Sequence, residues 1–110
     1  MSTIGYMVMV KDKPHYSLGK VRMLAKQENG CRITMRARET ARNDFGWGVG
    51  EIKRAISKLQ QSDFHKSNYK FNNPKIHVDY YKAENLIGEK VYTHFRIEDG
   101  VLIIDSFKEI

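Results

Sequence analysis

Val91-Tyr92-Thr93-His94-Phe95-Arg96-Ile97, then Glu98-Asp99-Gly100, then Val101-Leu102-Ile103-Ile104-Asp105-Ser106-Phe107-Lys108, is the stretch whose reading decides the fold. Two runs rich in β-branched and aromatic residues flank a turn signal, which reads as a β-hairpin. Two registers compete. A two-residue Asp99-Gly100 turn sets Phe95 opposite Ile104 and puts Phe107 on one face with His94 and Arg96. A three-residue Glu98-Asp99-Gly100 loop, with Gly100 left-handed, pairs Ile97 with Val101 instead. One face then carries Val91, Phe95, Ile97, Val101, Ile103 and Phe107; the other carries Tyr92, His94, Arg96, Leu102, Ile104, Ser106 and Lys108. A slip of one residue turns every side chain over, so the cleaner sorting favours the three-residue loop. That register gathers a phenol, an imidazole, a guanidinium and an ammonium on one side of two adjacent strands. A polar face of this kind also arises wherever a sheet simply meets water.

Outward from the hairpin, the period of two continues upstream. Phe64 to Tyr69 is a strand candidate, and Ile76, Val78 and Tyr80 alternate with His77, Asp79 and Tyr81 in a second. Lys70 to Lys75, with Asn72-Asn73-Pro74, reads as the turn between them. Lys82 to Glu89 connects to the hairpin. The N-terminal half has the helical period. Ser17 caps a helix over about 17–28 in which Leu18, Val21, Leu24 and Ala25 recur, and Asn29-Gly30 stops it. Cys31-Arg32-Ile33 is short and extended, and Thr34 caps a second helix over roughly 35–43 with Ala37 and Ala41 inward. Val49, Ile52, Ile56 and Leu59 stripe a third over roughly 49–60. Trp47, between two glycines, is expected to plug a helix–helix corner rather than stack on a base. Helices first and strands afterwards predict an α+β fold, with about three helices packed on a mainly antiparallel sheet of about four strands. The other face of that sheet is left open to a ligand.

A chain of 110 residues fits one domain, expected over residues 14–110. Residues 1–13, with the run Tyr6-Met7-Val8-Met9-Val10, form an extension that is either a loose tail or an edge strand. The lone Cys31 excludes an internal disulfide and a cysteine-built zinc site. No apolar run approaches a membrane span and no secretory pattern opens the chain, so the cytoplasm is the expected address. The net charge is +6 and is concentrated. Between residues 20 and 42, seven basic residues (Lys20, Arg22, Lys26, Arg32, Arg36, Arg38, Arg42) face only Glu28 and Glu39. Such a patch is the footprint of a polyanion binder, and Arg36 and Arg38 are candidate contacts to RNA. A solvated helix face has the same composition.

Several chemistries drop out. The histidines are His15, His65, His77 and His94, and no HExxH or Cys-x-x-Cys accompanies them, so no metal site is expected. Phosphate-binding glycine loops and a nucleophile elbow are missing as well. No small-molecule cofactor is implied. Metal-free acid–base chemistry on a phosphodiester remains. RNA carries its own nucleophile, the 2′-hydroxyl; a protein that cuts it must take that proton, hold the phosphate and neutralise the transition state. Tyr92, His94, Arg96 and Lys108 supply the needed groups, and Lys66 and His77 lie on strands that can join them.

Asp63-Phe64-His65-Lys66-Ser67 together with Ser106-Phe107-Lys108-Glu109 resembles the paired signature of the MqsR family of toxins. Pro14-His15-Tyr16-x-Leu18, Ile33-Thr34 with Ala37 and Ala41, Asp79-Tyr80-Tyr81 and Gly88 to Tyr92 resemble other segments of it, in order, from Pro14 onward. The resemblance implies a RelE-like α+β fold and a ribosome-independent mRNA endoribonuclease of a type II toxin–antitoxin system, with a cognate antitoxin as partner, and the leading expectation is a sequence-selective RNase. It implies Lys66, Tyr92 and Lys108 as active-site residues. Where the family has a glutamine before the strand aspartate, this chain has Val78 preceded by His77, and His65 stands where a tyrosine is usual. His77 or His65 is therefore a candidate to share proton transfer, since imidazole titrates near neutrality. His94, Arg96 and His65 are further candidate RNA contacts. The competing expectation is a regulatory module that holds RNA or an antitoxin without cutting; a DNA-binding regulator ranks last, because the basic second helix is short.

Overall fold

The computed structural model describes residues 10–70 and 72–110. Three helices occupy the N-terminal half: α1 Leu18–Lys26, α2 Met35–Phe45 and α3 Val49–Ile56. Their boundaries follow the caps. Ser17 Oγ accepts from Lys20 N, Thr34 Oγ1 accepts from Ala37 N, and Glu51 reaches back to accept from Gly48 N at 2.9 Å. Gly46, at φ 73°, closes α2 in the left-handed conformation. The buried faces are the apolar stripes read from the sequence: Leu18, Val21, Leu24 and Ala25 on α1, Ala37 and Ala41 on α2, Ile52, Ala55 and Ile56 on α3. Trp47 is half-buried and packs on Phe45 and Phe107, which plugs the corner between helix and sheet.

The strands are β1 Val10–Lys11, β2 Cys31–Ile33, β3 Phe64–Lys70, β4 Asn73–Leu86, β5 Glu89–Glu98 and β6 Val101–Glu109. They form one sheet in the order β1-β3-β4-β5-β6-β2. Three helices before a run of strands is the α+β arrangement expected. The expected mainly antiparallel sheet of about four strands needs correction: the sheet has six strands among the described residues and is mixed, because β2 pairs with β6 in parallel. A parallel neighbour demands a long crossover, and the chain from α2 through β5 supplies it. Val10–Lys11 pair with Asn68 and Ser67 at the β3 edge. Residues 1–9 of the extension lie outside the described residues.

The hairpin overturns the preferred register and keeps most of its consequence. Glu98 pairs with Val101 and Phe95 with Ile104 across a two-residue turn, with Asp99 at φ 52° and Gly100 at φ 76°. Two successive left-handed residues are the hairpin turn whose twist suits the strands. Leu102 and Ile104 therefore enter the core, contrary to expectation, and Ile103 sits opposite Arg96 on the open face. One step further, Asp105 has no partner: Ile104 faces Phe95 and Ser106 faces His94. This β-bulge shifts the phase by one residue. Phe107 returns to the core, and Ser106 and Lys108 join His94 and Tyr92 on the open face.

The core lies between the three helices and one face of the sheet, where Tyr81, Ala83, Leu86, Val91, Phe95, Leu102, Ile104 and Phe107 are buried. β4 is longer than expected. It runs on to Leu86 and turns through Ile87 and Gly88, both at positive φ, so the segment read as a connection is mostly strand.

Candidate active site

The open face carries two ordered rows. Register places Lys66, Tyr80, His94 and Ser106 side by side across β3, β4, β5 and β6. Two residues along the strands, Lys82, Tyr92 and Lys108 form the next row across β4, β5 and β6. Lys66 starts three strand spacings from Ser106, about 14 Å of backbone. Two of the three lysines in these rows lie over the phenol rings. Lys66 Nζ lies 4.8 Å from the Tyr80 ring centroid, and Lys108 Nζ lies 5.2 Å from the Tyr92 centroid. Each is held by cation–π attraction over a phenol. The phenol rings are 6.4 Å apart, and the His94 ring is 4.9 Å from that of Tyr80. Tyr92 Oη and His94 Nδ1 are 3.1 Å apart, within hydrogen-bonding reach.

Half-burial sets the protonation of these groups. Burial lowers the pKa of His94 below the ordinary histidine value, helped by Lys108, Arg96 and Lys66 and opposed by Asp105. The imidazole is neutral at pH 7, so it can accept a proton. Burial, then Tyr80, pushes the Tyr92 phenol up; burial, then Asp105, does the same to Tyr80. Both phenols keep their protons at neutral pH.

Arg96 reaches the same face but is already engaged, with Nε donating to Glu98 and Nη1 to Asp105. His65 is the extra residue of a second bulge, between Phe64 opposite Tyr81 and Lys66 opposite Tyr80. It is exposed, and its pKa is lowered by slight burial and by Lys82 and Lys66. The remaining candidates fall elsewhere. His77 alternates with Val78 and Tyr80, so it belongs to the face of Asp79 and Tyr81, where its ring stacks on His15 at 3.6 Å between centroids. Asp79 anchors the same corner by accepting from His15 N and Tyr16 N. The sheet thus separates His77 from Lys66, Tyr92 and Lys108. Arg36 and Arg38 are exposed on α2, whose Ala37 and Ala41 pack into the core behind the sheet, so they too stand apart from the rows.

Tyr80 and Lys82 are members of the rows that the sequence did not single out. Their alternation with Val78 was the available signal. The pairing of Tyr80 with Lys66 was hidden, because it depends on the bulge at His65.

A profile of the family described as motility quorum-sensing regulator, toxin of MqsA, matches residues 13–109. The chain belongs to the MqsR toxin family. As a member of that family it is a toxin of a toxin–antitoxin system. No curated protein matches the chain. The matched stretch contains all of α1 to α3 and both rows of the open face, so the MqsR-family match and the candidate site cover the same part of the chain. No helix among the described residues is long and apolar enough to cross a membrane.

Proposed function

We propose that this MqsR-family toxin is a metal-independent mRNA endoribonuclease that cuts through attack of the substrate's own 2′-hydroxyl. The observation that carries the reading is the Tyr92–His94 contact, with an ammonium over each of two neighbouring phenols. The 2′-hydroxyl gives its proton to Tyr92 Oη as the Tyr92 proton passes to the neutral His94 Nδ1. Tyr92 is therefore a conduit and never a free phenolate, in keeping with its raised pKa. Lys66 and Lys108 bracket the phosphate and neutralise the charge that grows on its non-bridging oxygens. The departing 5′ oxygen takes a proton from a lysine ammonium. The products are a 2′,3′-cyclic phosphate and a 5′-hydroxyl. His94 here takes the proton-transfer role that the sequence offered to His77 or His65.

The partners proposed are mRNA and a cognate antitoxin. An active mRNase would arrest its own host unless something held it in check, and the name of the matched family pairs the toxin with MqsA. The test is incubation of the purified protein with a long transcript in EDTA, with product ends mapped by primer extension. Discrete cuts ending in cyclic phosphate are expected, and a single 2′-deoxy substitution at a cut site should abolish that cut. An intact transcript bound tightly by the protein would instead establish a non-catalytic RNA-binding module.

A further inference from the structure

Next to the two rows lies a cleft of about 490 Å³, most of whose lining the proposed chemistry does not use. Asn68, Val78, Tyr80, His94, Arg96 and Asp105 line it, with Tyr69 and Lys70 at its β3 side. Tyr80 and His94 belong both to this cleft and to the row that starts at Lys66. The cleft therefore opens about two residues, or roughly 7 Å along the strands, from where the phosphate would sit.

Its charge argues against a second phosphate. Asp105 places a carboxylate inside it. Arg96 is committed to Asp105 and Glu98, and Lys70 lies in the field of Glu98. What the cleft offers is a flat phenol, an apolar floor from Val78, and two kinds of polar edge. Asn68 Oδ1 accepts from Tyr69 N at 2.8 Å, which orients the amide and leaves its N–H groups to donate. Asp105 gives one carboxylate oxygen to Arg96 Nη1 and can accept through the other. A neutral, planar group carrying donors and acceptors along one edge matches this set. A phosphate or an aliphatic group does not.

We infer that the cleft is a nucleobase subsite: a base flanking the scissile phosphate packs on Tyr80, and its polar edge is read by Asn68 and Asp105. The inference rests on RNA being the substrate. It makes Tyr80 a binding residue and Asn68 a specificity residue. It also gives the bulge at Asp105 a purpose, because only the extra residue lets a carboxylate face the cleft while Ser106 and Lys108 stay in phase.

The test measures binding and cutting separately. Uncleavable 2′-O-methyl hexamers differing in one base are titrated by fluorescence anisotropy against wild type, Tyr80→Leu, Tyr80→Phe and Asn68→Ala, each checked by thermal melting. Wild type should rank the bases. Tyr80→Leu, which also removes the ring under Lys66, should weaken binding on the order of 10-fold or more and narrow the differences between bases, and Tyr80→Phe should retain both affinity and ranking. Asn68→Ala should flatten the ranking. Equal affinities for all bases in wild type, or an unchanged ranking and affinity in Tyr80→Leu and Asn68→Ala, would overturn the subsite. Cut sites on a full 2′-hydroxyl transcript separate this from the parent reading. Base-ranked binding without cleavage keeps the subsite and removes the nuclease; cleavage with a site pattern that Tyr80→Leu and Asn68→Ala reproduce removes the subsite and keeps the nuclease.

Discussion

The Tyr92 hydroxyl can be removed without removing the ring that supports Lys108. Tyr92→Phe keeps the cation–π contact and the burial but breaks the link to His94 Nδ1. Cleavage should fall about 100-fold or more, the usual worth of a positioned proton-transfer group, with the melting temperature nearly unchanged. His94→Gln should fall comparably, and the double variant should lose little beyond either single change, since both act on one proton. Single-turnover rates on a short RNA decide this; independent, multiplying losses would break the relay. The pH profile follows from the same two groups. The relay needs His94 unprotonated, and its pKa lies below the ordinary 6.5, so the acid limb of activity should be centred below pH 6.5. It also needs Tyr92 protonated, and that pKa is raised above the ordinary 10, so any alkaline limb from this phenol should be centred above pH 10. The sign for stability agrees. A histidine with a depressed folded pKa contributes fully above pH 6.5, and its contribution is lost as pH falls below that value. An acid limb centred above pH 6.5 would show that His94 is not the acceptor.

At the scale of elements, the tip of the β5–β6 hairpin determines which side chains meet. Gly100 has open space around a notional Cβ, so its replacement meets no clash and the cost is purely conformational. At φ 76°, Gly100→Ala should destabilise the protein by about 1 kcal/mol, read from the urea midpoint with an unchanged slope. A neutral result would mean the turn relaxes into another type. The elements themselves were legible because their signals are local: Ser17 and Thr34 cap the first two helices, and Phe64–Tyr69 and Ile76–Tyr81 alternate. What was not legible depended on non-local compensation. The cleanest apolar sorting of the hairpin pointed to a three-residue loop, because alternation counts every residue as paired. The bulge at Asp105 breaks that count and rescues Phe107 after a two-residue turn. Likewise Ile87 at φ 43° is a residue that no turn rule places there, so the end of β4 read as a connection. Tyr92 and Lys108 are offered by the hairpin itself, the resemblance implies them together with Lys66, and all three share the open face. His77, one residue before Val78 in the strand, lies on the opposite face.

At the scale of the whole molecule, one sheet separates two jobs. Its inner face, with Phe95 and Phe107 fully buried, holds the three helices; its outer face holds the two rows and the cleft. Phe95 is flanked in sequence by His94 and Arg96, yet the pleat puts its ring stacked on Tyr81, 5.3 Å away, with no part in the chemistry. Phe95→Ala should therefore cost about 3–5 kcal/mol. That is a large share of the roughly 5–15 kcal/mol that holds a domain folded, so activity should vanish through unfolding. Lys66 is a half-buried charge on the outer face, and Lys66→Ala should leave the melting temperature within a few degrees of wild type while cleavage falls sharply. Pairing thermal melts with cleavage rates for the two variants tests the division. If Lys66→Ala melted as early as Phe95→Ala, the lysine would be holding the fold, and the open face would lose its claim to be a site kept apart from the core.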